Sequence, residues 1–328
     1  MTTNKIIYRA DAYHGIGTGD LLSLVYLSKR MERLGVESHF VCLDTSSARL
    51  LTAQHAIDKI TWLNPEIDVL EEAEILKSIY LAEQARYLVV ELTDPVRKQI
   101  QLDDSMRILW VHFDDDLPSF ADFFLNWSVE ALDPVYQSKI NGRKGFFGPQ
   151  FVLLNPTLDG KVWMPNEGQL EILVSLGGAD EHNLSSKVTY LVLALGFKVH
   201  LILGYGNDSN INYETHKNLR ISYGVKDLVP HILSSRAIIC TGGLTLSESC
   251  AMKVPAHVIC SERHQVGRAK FFHQKGACRY YGFRDAGLQR LRDNFSAKNG
   301  VDSFSPSVVD FNIGQFVNEF YSEILDQS

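Results

Sequence analysis

The residues Gly242-Gly243-Leu244-Thr245-Leu246-Ser247-Glu248 carry the types needed to hold a phosphate and a ribose at one turn. Glycines let the backbone approach a ligand closely, and the first N–H groups of a following helix point at whatever lies above them. A carboxylate one turn into that helix repels phosphate but accepts hydrogen bonds from a ribose diol. Glycines for phosphate with a glutamate for ribose predict a nucleotide-sugar site. The alternative is an ordinary strand-to-helix turn with a surface glutamate, because short glycine motifs recur by chance.

The flanking residues define where this turn sits. Ala237-Ile238-Ile239-Cys240 is an apolar run that reads as a buried parallel strand. Ser249-Cys250-Ala251-Met252 continues as a helix and stops at Val254-Pro255. Two more glycine turns follow the same logic. Val174-Ser175-Leu176-Gly177-Gly178-Ala179-Asp180, with Asn183, places glycines at another strand end. Arg9-Ala10-Asp11-Ala12-Tyr13-His14-Gly15-Ile16-Gly17-Thr18-Gly19-Asp20 forms the first strand–loop–helix turn. Its glycine spacing differs from the dinucleotide fingerprint, so an NAD site, with Asp44 as the ribose acid, is a minor alternative. Asp11 also reads as a turn residue, Asp20 as a helix N-cap and His14 as a loop residue. Ser261-Glu262-Arg263-His264-Gln265 lies at a further strand end, where side chains reach the same crevice.

These turns need a scaffold of alternating strands and helices. Strands are expected at 5–9, 38–42, 87–91 and 106–111, and helices at 20–34, 46–55 and 65–85. Turn and linker residues at 155–168 interrupt the pattern. Strands then resume at 170–176, 197–203, 219–222, 237–240 and 256–260, with helices such as 184–195 and 267–275. The last stretch, 313–325, is amphipathic, and a late helix of this sort could pack back across either domain. The expected fold is α/β with two Rossmann-like doubly wound domains, 1–160 and 161–328, the final helix falling in the second range. A ligand cleft between them is expected.

Bulk properties narrow the function classes. The 328 residues suit two domains, and 45% hydrophobic with 22% charged residues is ordinary for a globular protein. A net charge of −7 argues against nucleic acid as a partner. No apolar run has the length of a transmembrane segment. Met1 to Lys5 leads directly into a strand, without the apolar core of a signal peptide, so a cytoplasmic location is expected. Cys42, Cys240, Cys250, Cys260 and Cys278 lack Cys-x-x-Cys spacing and read as buried small hydrophobes in a reducing compartment.

Taken in order, the motifs resemble the UDP-sugar hydrolase family of pseudaminic acid biosynthesis and its spore-coat polysaccharide relatives. Those are similar in turn to the GT-B glycosyltransferase that adds N-acetylglucosamine in peptidoglycan synthesis. The resemblance rests on Arg9-Ala10-Asp11-Ala12 with Ile16-Gly17-Thr18-Gly19, on Phe113-Asp114-Asp115-Asp116, and on Gly148-Pro149-Gln150-Phe151-Val152-Leu153-Leu154. It rests further on Ser175 to Asp180 with Asn183, and on the Gly242–Glu248 turn. It implies a GT-B architecture in which the C-terminal domain holds uracil, ribose and diphosphate. Thr245 would meet the diphosphate and Glu248 the ribose. Gly177, Gly178, Gly242 and Gly243 would admit the nucleotide, and Gln265 would sit beside sugar or phosphate. The Gly17-Thr18-Gly19 loop would face the sugar, and Asp11 is a further substrate-binding candidate. The family pattern has a histidine as general base where this chain has Asp20. It also has an Asp-x-Tyr-Gly stretch where this chain has Glu91-Leu92-Thr93-Asp94.

The expected activity is cleavage of a UDP-sugar at its anomeric carbon, in nonulosonic acid or surface-polysaccharide biosynthesis. Asp20, or less favourably His14, would deprotonate the nucleophile. An unperturbed aspartate, with a pKa of ~3.9, is a weak base unless burial raises it. Water as nucleophile makes the protein a hydrolase, and a sugar hydroxyl makes it a GT-B glycosyltransferase. A nucleotide-sugar-binding protein without turnover is the third reading. No cofactor is expected, and the other partners would be pathway enzymes or a glycan acceptor. Asp114-Asp115-Asp116 with His112 could attract a divalent ion, but reads as a solvated loop, so no metal is expected.

Overall fold

A computed structural model describes residues 4–13, 17–111, 117–166, 168, 171–178, 180, 182–204, 215–295 and 305–325. His14, His112 and Asp114 to Asp116 lie outside them. Contacts divide the chain into two compact units, Met1–Pro156 with Phe311–Ser328, and Thr157–Asp310.

In the first unit, strands β1 (Lys5–Ala10), β2 (Glu37–Leu43), β3 (Ile60–Leu63), β4 (Tyr87–Glu91), β5 (Ile108–Val111), β6 (Phe123–Asn126) and β7 (Lys144–Phe147) form one sheet. Its order is β3-β2-β1-β4-β5-β6-β7. Every neighbouring pair is parallel, with Arg9 opposite Val90 and Ala10 opposite Glu91. The crossovers are helices α1 (Gly19–Glu32), α2 (Ser46–Gln54), α3 (Val69–Ala82) and α4 (Pro134–Ser138). Local chemistry starts several of them. Thr45 accepts from Ala48 N–H ahead of α2, and Asp68 accepts from Leu70 and Glu71 N–H ahead of α3. Buried runs such as Tyr87–Glu91 explain why the strands read as continuous apolar segments.

The second unit repeats the design. Strands β8 (Glu171–Ser175), β9 (Lys198–Leu203), β10 (Leu219–Tyr223), β11 (Ala237–Cys240), β12 (Ala256–Cys260) and β13 (Arg279–Phe283) are ordered β10-β9-β8-β11-β12-β13, all parallel. Helices α5 (Leu184–Ala194), α6 (Val229–Ser234), α7 (Leu244–Ala251), α8 (Gln265–Gln274) and α9 (Arg284–Asn294) accompany them. Ile172, Val174, Leu201 and Ile239 of the sheet pack with Val188 and Val192 of α5 in its core. All five cysteines are free and buried.

The last helix, α10 (Ile313–Leu325), belongs to the first unit, although the sequence pattern placed it in the second range. The reason is aromatic packing. Phe316 meets Phe146 of β7, and Phe320 meets Tyr87 and Phe123 edge-on or tilted, all at centroid separations of 5.0–6.1 Å. Among the described residues, no helix is long and apolar enough to cross a membrane.

Candidate functional site

Each sheet has a topological switch point, where successive crossovers leave to opposite sides and loops gather at the strands' carboxyl ends. In the first sheet it lies between β1 and β4; in the second, between β8 and β11.

At the first switch point the loop after β1 is folded back on itself. Tyr13 and Gly17 exchange backbone hydrogen bonds of 3.2 and 2.9 Å, and Gly17 adopts φ +82°, which suits glycine. Helix α1 then starts at Gly19 with Thr18 as its N-cap. Asp20 is therefore inside the first turn, and the N-cap reading does not hold. Its carboxyl instead leaves the helix for the loop after β4. Oδ2 accepts from Thr93 N–H at 3.1 Å and from the Thr93 hydroxyl at 2.7 Å. Burial pushes the Asp20 pKa up to about 7. The two Thr93 bonds and Arg9 favour the charged form, while the neighbouring Asp11 opposes it.

Below this lies a network of buried charges. Arg9 donates to Glu72 at 2.7 Å and to Asp11 at 2.6 Å, and Arg97 donates to the other Glu72 oxygen at 2.8 Å. Asp11 also accepts from Leu43 N–H at 2.8 Å. The side chains of Arg9, Asp11 and Glu72 have no solvent exposure. Asp11 was a substrate-binding candidate; its carboxyl is turned inward and joins β1 to β2. Ser23 donates to Glu91 at the end of β4, and the Tyr13 hydroxyl donates to Asp94. Asp44, the acid that a dinucleotide site would need, pairs bidentately with Arg49 at 2.5 and 2.8 Å on the surface. Among the described residues, no three His, Cys, Asp or Glu side chains converge as metal ligands.

The second switch point is built from glycine and backbone. Gly177 adopts φ +108°, and a Cβ on Gly204 would stand 2.6 Å from Gly177 O and Gly178 Cα, so the loops after β8 and β9 meet backbone to backbone. A Cβ on Gly242 would stand 2.4 Å from Gln265 O. Gln265 and the Gly242-Gly243 turn, read separately in the sequence, are thus in direct contact.

Three helices start at this edge, and their termini differ. Asp180 occupies that of α5, accepting from Leu184 and Ser185 N–H at 2.8 and 2.7 Å. The Gln265 side chain turns back to its own loop ahead of α8, accepting from Ser261 and Glu262 N–H at 3.1 and 3.3 Å. Neither α7 nor α8 has a side-chain cap or an acid in its first turn, and α7 alone of the three has a glycine, Gly243, at its N-cap. No side-chain cap bonds the first α7 amides, and the helix dipole there favours an anion. The Arg268 guanidinium reaches Gly242 O at 3.3 Å and adds a cation there. Thr245 lies half-buried in the first turn of α7. Glu248 is 3% exposed, which removes the surface-glutamate reading.

Sequence reasoning singled out neither Thr93 nor Arg268. Thr93 follows the strand on the far side of the first switch point, and that topology was the signal that could have found it. Arg268 lies one turn into α8 from Gln265, on the helix that packs against the glycine turn.

No family model and no curated protein sequence matches the chain. Solved structures do. MurG of Acinetobacter baumannii is 11% identical with a TM-score of 0.56, over 98% of this chain and 91% of that one. MnaA of S. aureus, solved with UDP, is 14% identical with a TM-score of 0.64, over 98% and 97%. The spinosyn rhamnosyltransferase SpnG, complexed with thymidine diphosphate, is 11% identical with a TM-score of 0.59, over 98% and 96%. With two parallel-sheet Rossmann-like units and these neighbours along nearly its whole length, the chain has the GT-B fold.

Proposed function

We propose that this protein is an enzyme that cleaves a nucleotide-sugar, most favourably a UDP-sugar, at the anomeric carbon. The observation that carries the reading is Asp20, a buried carboxyl at a strand-end switch point with a pKa of about 7. A general base is most effective when its pKa lies near the working pH. The Asp20 carboxylate takes a proton from water, the water oxygen bonds to the anomeric carbon, and the bond from that carbon to the diphosphate breaks. Nucleoside diphosphate leaves with the electron pair. The α7 amides and Arg268 stabilise its charge. Glu248 is assigned to the ribose, Thr245 to the diphosphate, and Gly177, Gly178, Gly242 and Gly243 to close backbone approach. Gly17, Thr18 and Gly19 are assigned to the sugar.

The hydrolase reading follows the sequence resemblance to the enzymes of pseudaminic acid biosynthesis. A second reading, transfer to a sugar hydroxyl, is supported by the spinosyn rhamnosyltransferase among the structural neighbours. The buried free cysteines support a reducing compartment such as the cytoplasm. Incubation with a panel of UDP-, GDP- and CMP-sugars, followed by mass analysis, tests the proposal. Free sugar from a UDP-sugar without acceptor supports hydrolysis, and turnover only with an added glycan supports transfer. Binding of UDP with no turnover under either condition would overturn the enzymatic reading.

A further inference from the structure

We infer that the Thr93 hydroxyl is the positioning residue of this site: it fixes the Asp20 carboxyl and sets the pH at which that carboxyl becomes a base. The inference rests on the reading of Asp20 given above, but its geometry stands alone. Asp20 comes from the first turn of α1, and Thr93 from the loop after β4, 73 residues away in sequence. Both Thr93 donors converge on one oxygen, Oδ2. A carboxylate whose Oδ2 holds two hydrogen bonds presents its other oxygen, Oδ1, as the atom to take a proton. Such bonds form to the charged form and favour it, in opposition to burial.

The Thr93 loop is itself held in place. Asp94 Oδ1 accepts from Val96 and Arg97 N–H at 2.8 and 2.9 Å, closing the turn. Asp94 Oδ2 accepts from the Tyr13 hydroxyl on the opposite loop. Adjacent residues of one loop therefore grip both the base and the hairpin that precedes it. The charged and titratable groups around Asp20 are Arg9 and Asp11 of β1 and its loop, Glu91 of β4 through Ser23, and Asp94 with Tyr13. Helix α10 meets α1 at its far end, where Tyr321 donates to Leu34 O. Thr93 is the only group among these whose hydroxyl bonds the Asp20 carboxyl, and it is solvent-exposed, so its replacement removes no core packing.

The test is a carbon-NMR titration of the Asp20 carboxyl in the full chain, assigned by its loss in Asp20→Asn. It is run on wild type, Thr93→Val, Thr93→Ala and Thr93→Ser. Loss of the hydroxyl in Thr93→Val and Thr93→Ala is expected to move the midpoint upward by about 1–2 pH units. Thr93→Ser should stay at the wild-type position. The ionising limb of the pH–rate profile should move with it. Midpoints in Thr93→Val and Thr93→Ala equal to wild type would overturn the inference, as would a Thr93→Ser midpoint displaced as far as theirs. If wild type turned over no nucleotide-sugar, the functional reading would fail while the titration still decided this one.

Discussion

At the carboxyl end of β1, charged side chains fill the switch point: Arg9, Asp11, Glu72 and Arg97 below, Asp20, Glu91 and Asp94 above. At the carboxyl end of β11, the corresponding place is lined by glycine backbone, the glycine-started terminus of α7 and Arg268. The two sheets share parallel topology and similar strand–loop–helix turns, so the fold does not create the difference. The side chains do. A carboxylate-rich pocket repels a diphosphate and stores a proton; an uncapped helix terminus attracts an anion. On the proposed reading, one scaffold used twice separates proton chemistry from anion binding.

The comparison breaks most sharply at the base. Asp20→Asn keeps the side-chain shape and an acceptor for Thr93 but cannot take a proton. Turnover should fall roughly 10²–10⁴-fold, the usual contribution of a general base. UDP affinity, by calorimetry, should remain that of wild type. A matched loss of both would merge the two regions that the comparison separates.

The next effect lies in the glycine turn. Gly242→Ala brings a Cβ within 2.4 Å of Gln265 O, a backbone atom, so α8 must shift. A loss of about 1–3 kcal/mol in stability is expected, with weakened UDP binding. Gly243→Ala is the contrasting probe, because its nearest neighbour would be Thr241 Oγ1 at 3.8 Å. It should cost less stability than Gly242→Ala, on the order of the N-cap preference of glycine over alanine and below about 1 kcal/mol, and weaken UDP binding.

Asp20 also links stability to pH. Its folded pKa, about 7, exceeds that of an unfolded aspartate at ~3.9. The protonated side chain therefore contributes its full stability below that unfolded value, and this is lost as pH rises through 7. Asp20→Asn should be more stable than wild type at pH 8, by about 2–4 kcal/mol, since each pH unit between the two pKa values is worth roughly 1.4 kcal/mol. The gain should vanish near pH 4. Chemical denaturation at both values checks the sign. Smallest is Asp180→Ala, which uncaps α5. It should cost about 1 kcal/mol and leave UDP affinity unchanged, because the proposed anion site belongs to α7.

Much of this architecture was readable from the chain. Ala237 to Cys240 is apolar throughout and Tyr87 to Val90 nearly so, and a doubly covered parallel sheet buries such runs. Strands β3, β6, β7 and β13 were not identified: Lys144–Phe147 and Arg279–Phe283 open on a charged residue and contain a glycine, and Phe123–Asn126 and Ile60–Leu63 are short segments that show no period. The glycine turns were legible because glycine is informative on its own. Asp20 was legible as a candidate, but not its environment. Thr93, 73 residues away, and the Arg9–Glu72 pair, 63 apart, are contacts of topology that local pattern cannot show. Nor could the sequence reveal that Asp180 and Gln265 occupy their own loops while Gly243 stands at the N-cap of α7.

The proposal turns on the Asp20 carboxyl, raised to near neutrality, acting as the base of the reaction. The pH dependence of kcat for sugar release from a UDP-sugar tests it most directly. The rate should climb with pH through a single ionisation near 7, with no such climb in the residual activity of Asp20→Asn. A rate independent of pH from 5 to 9, or an Asp20→Asn enzyme with the wild-type profile, would contradict it.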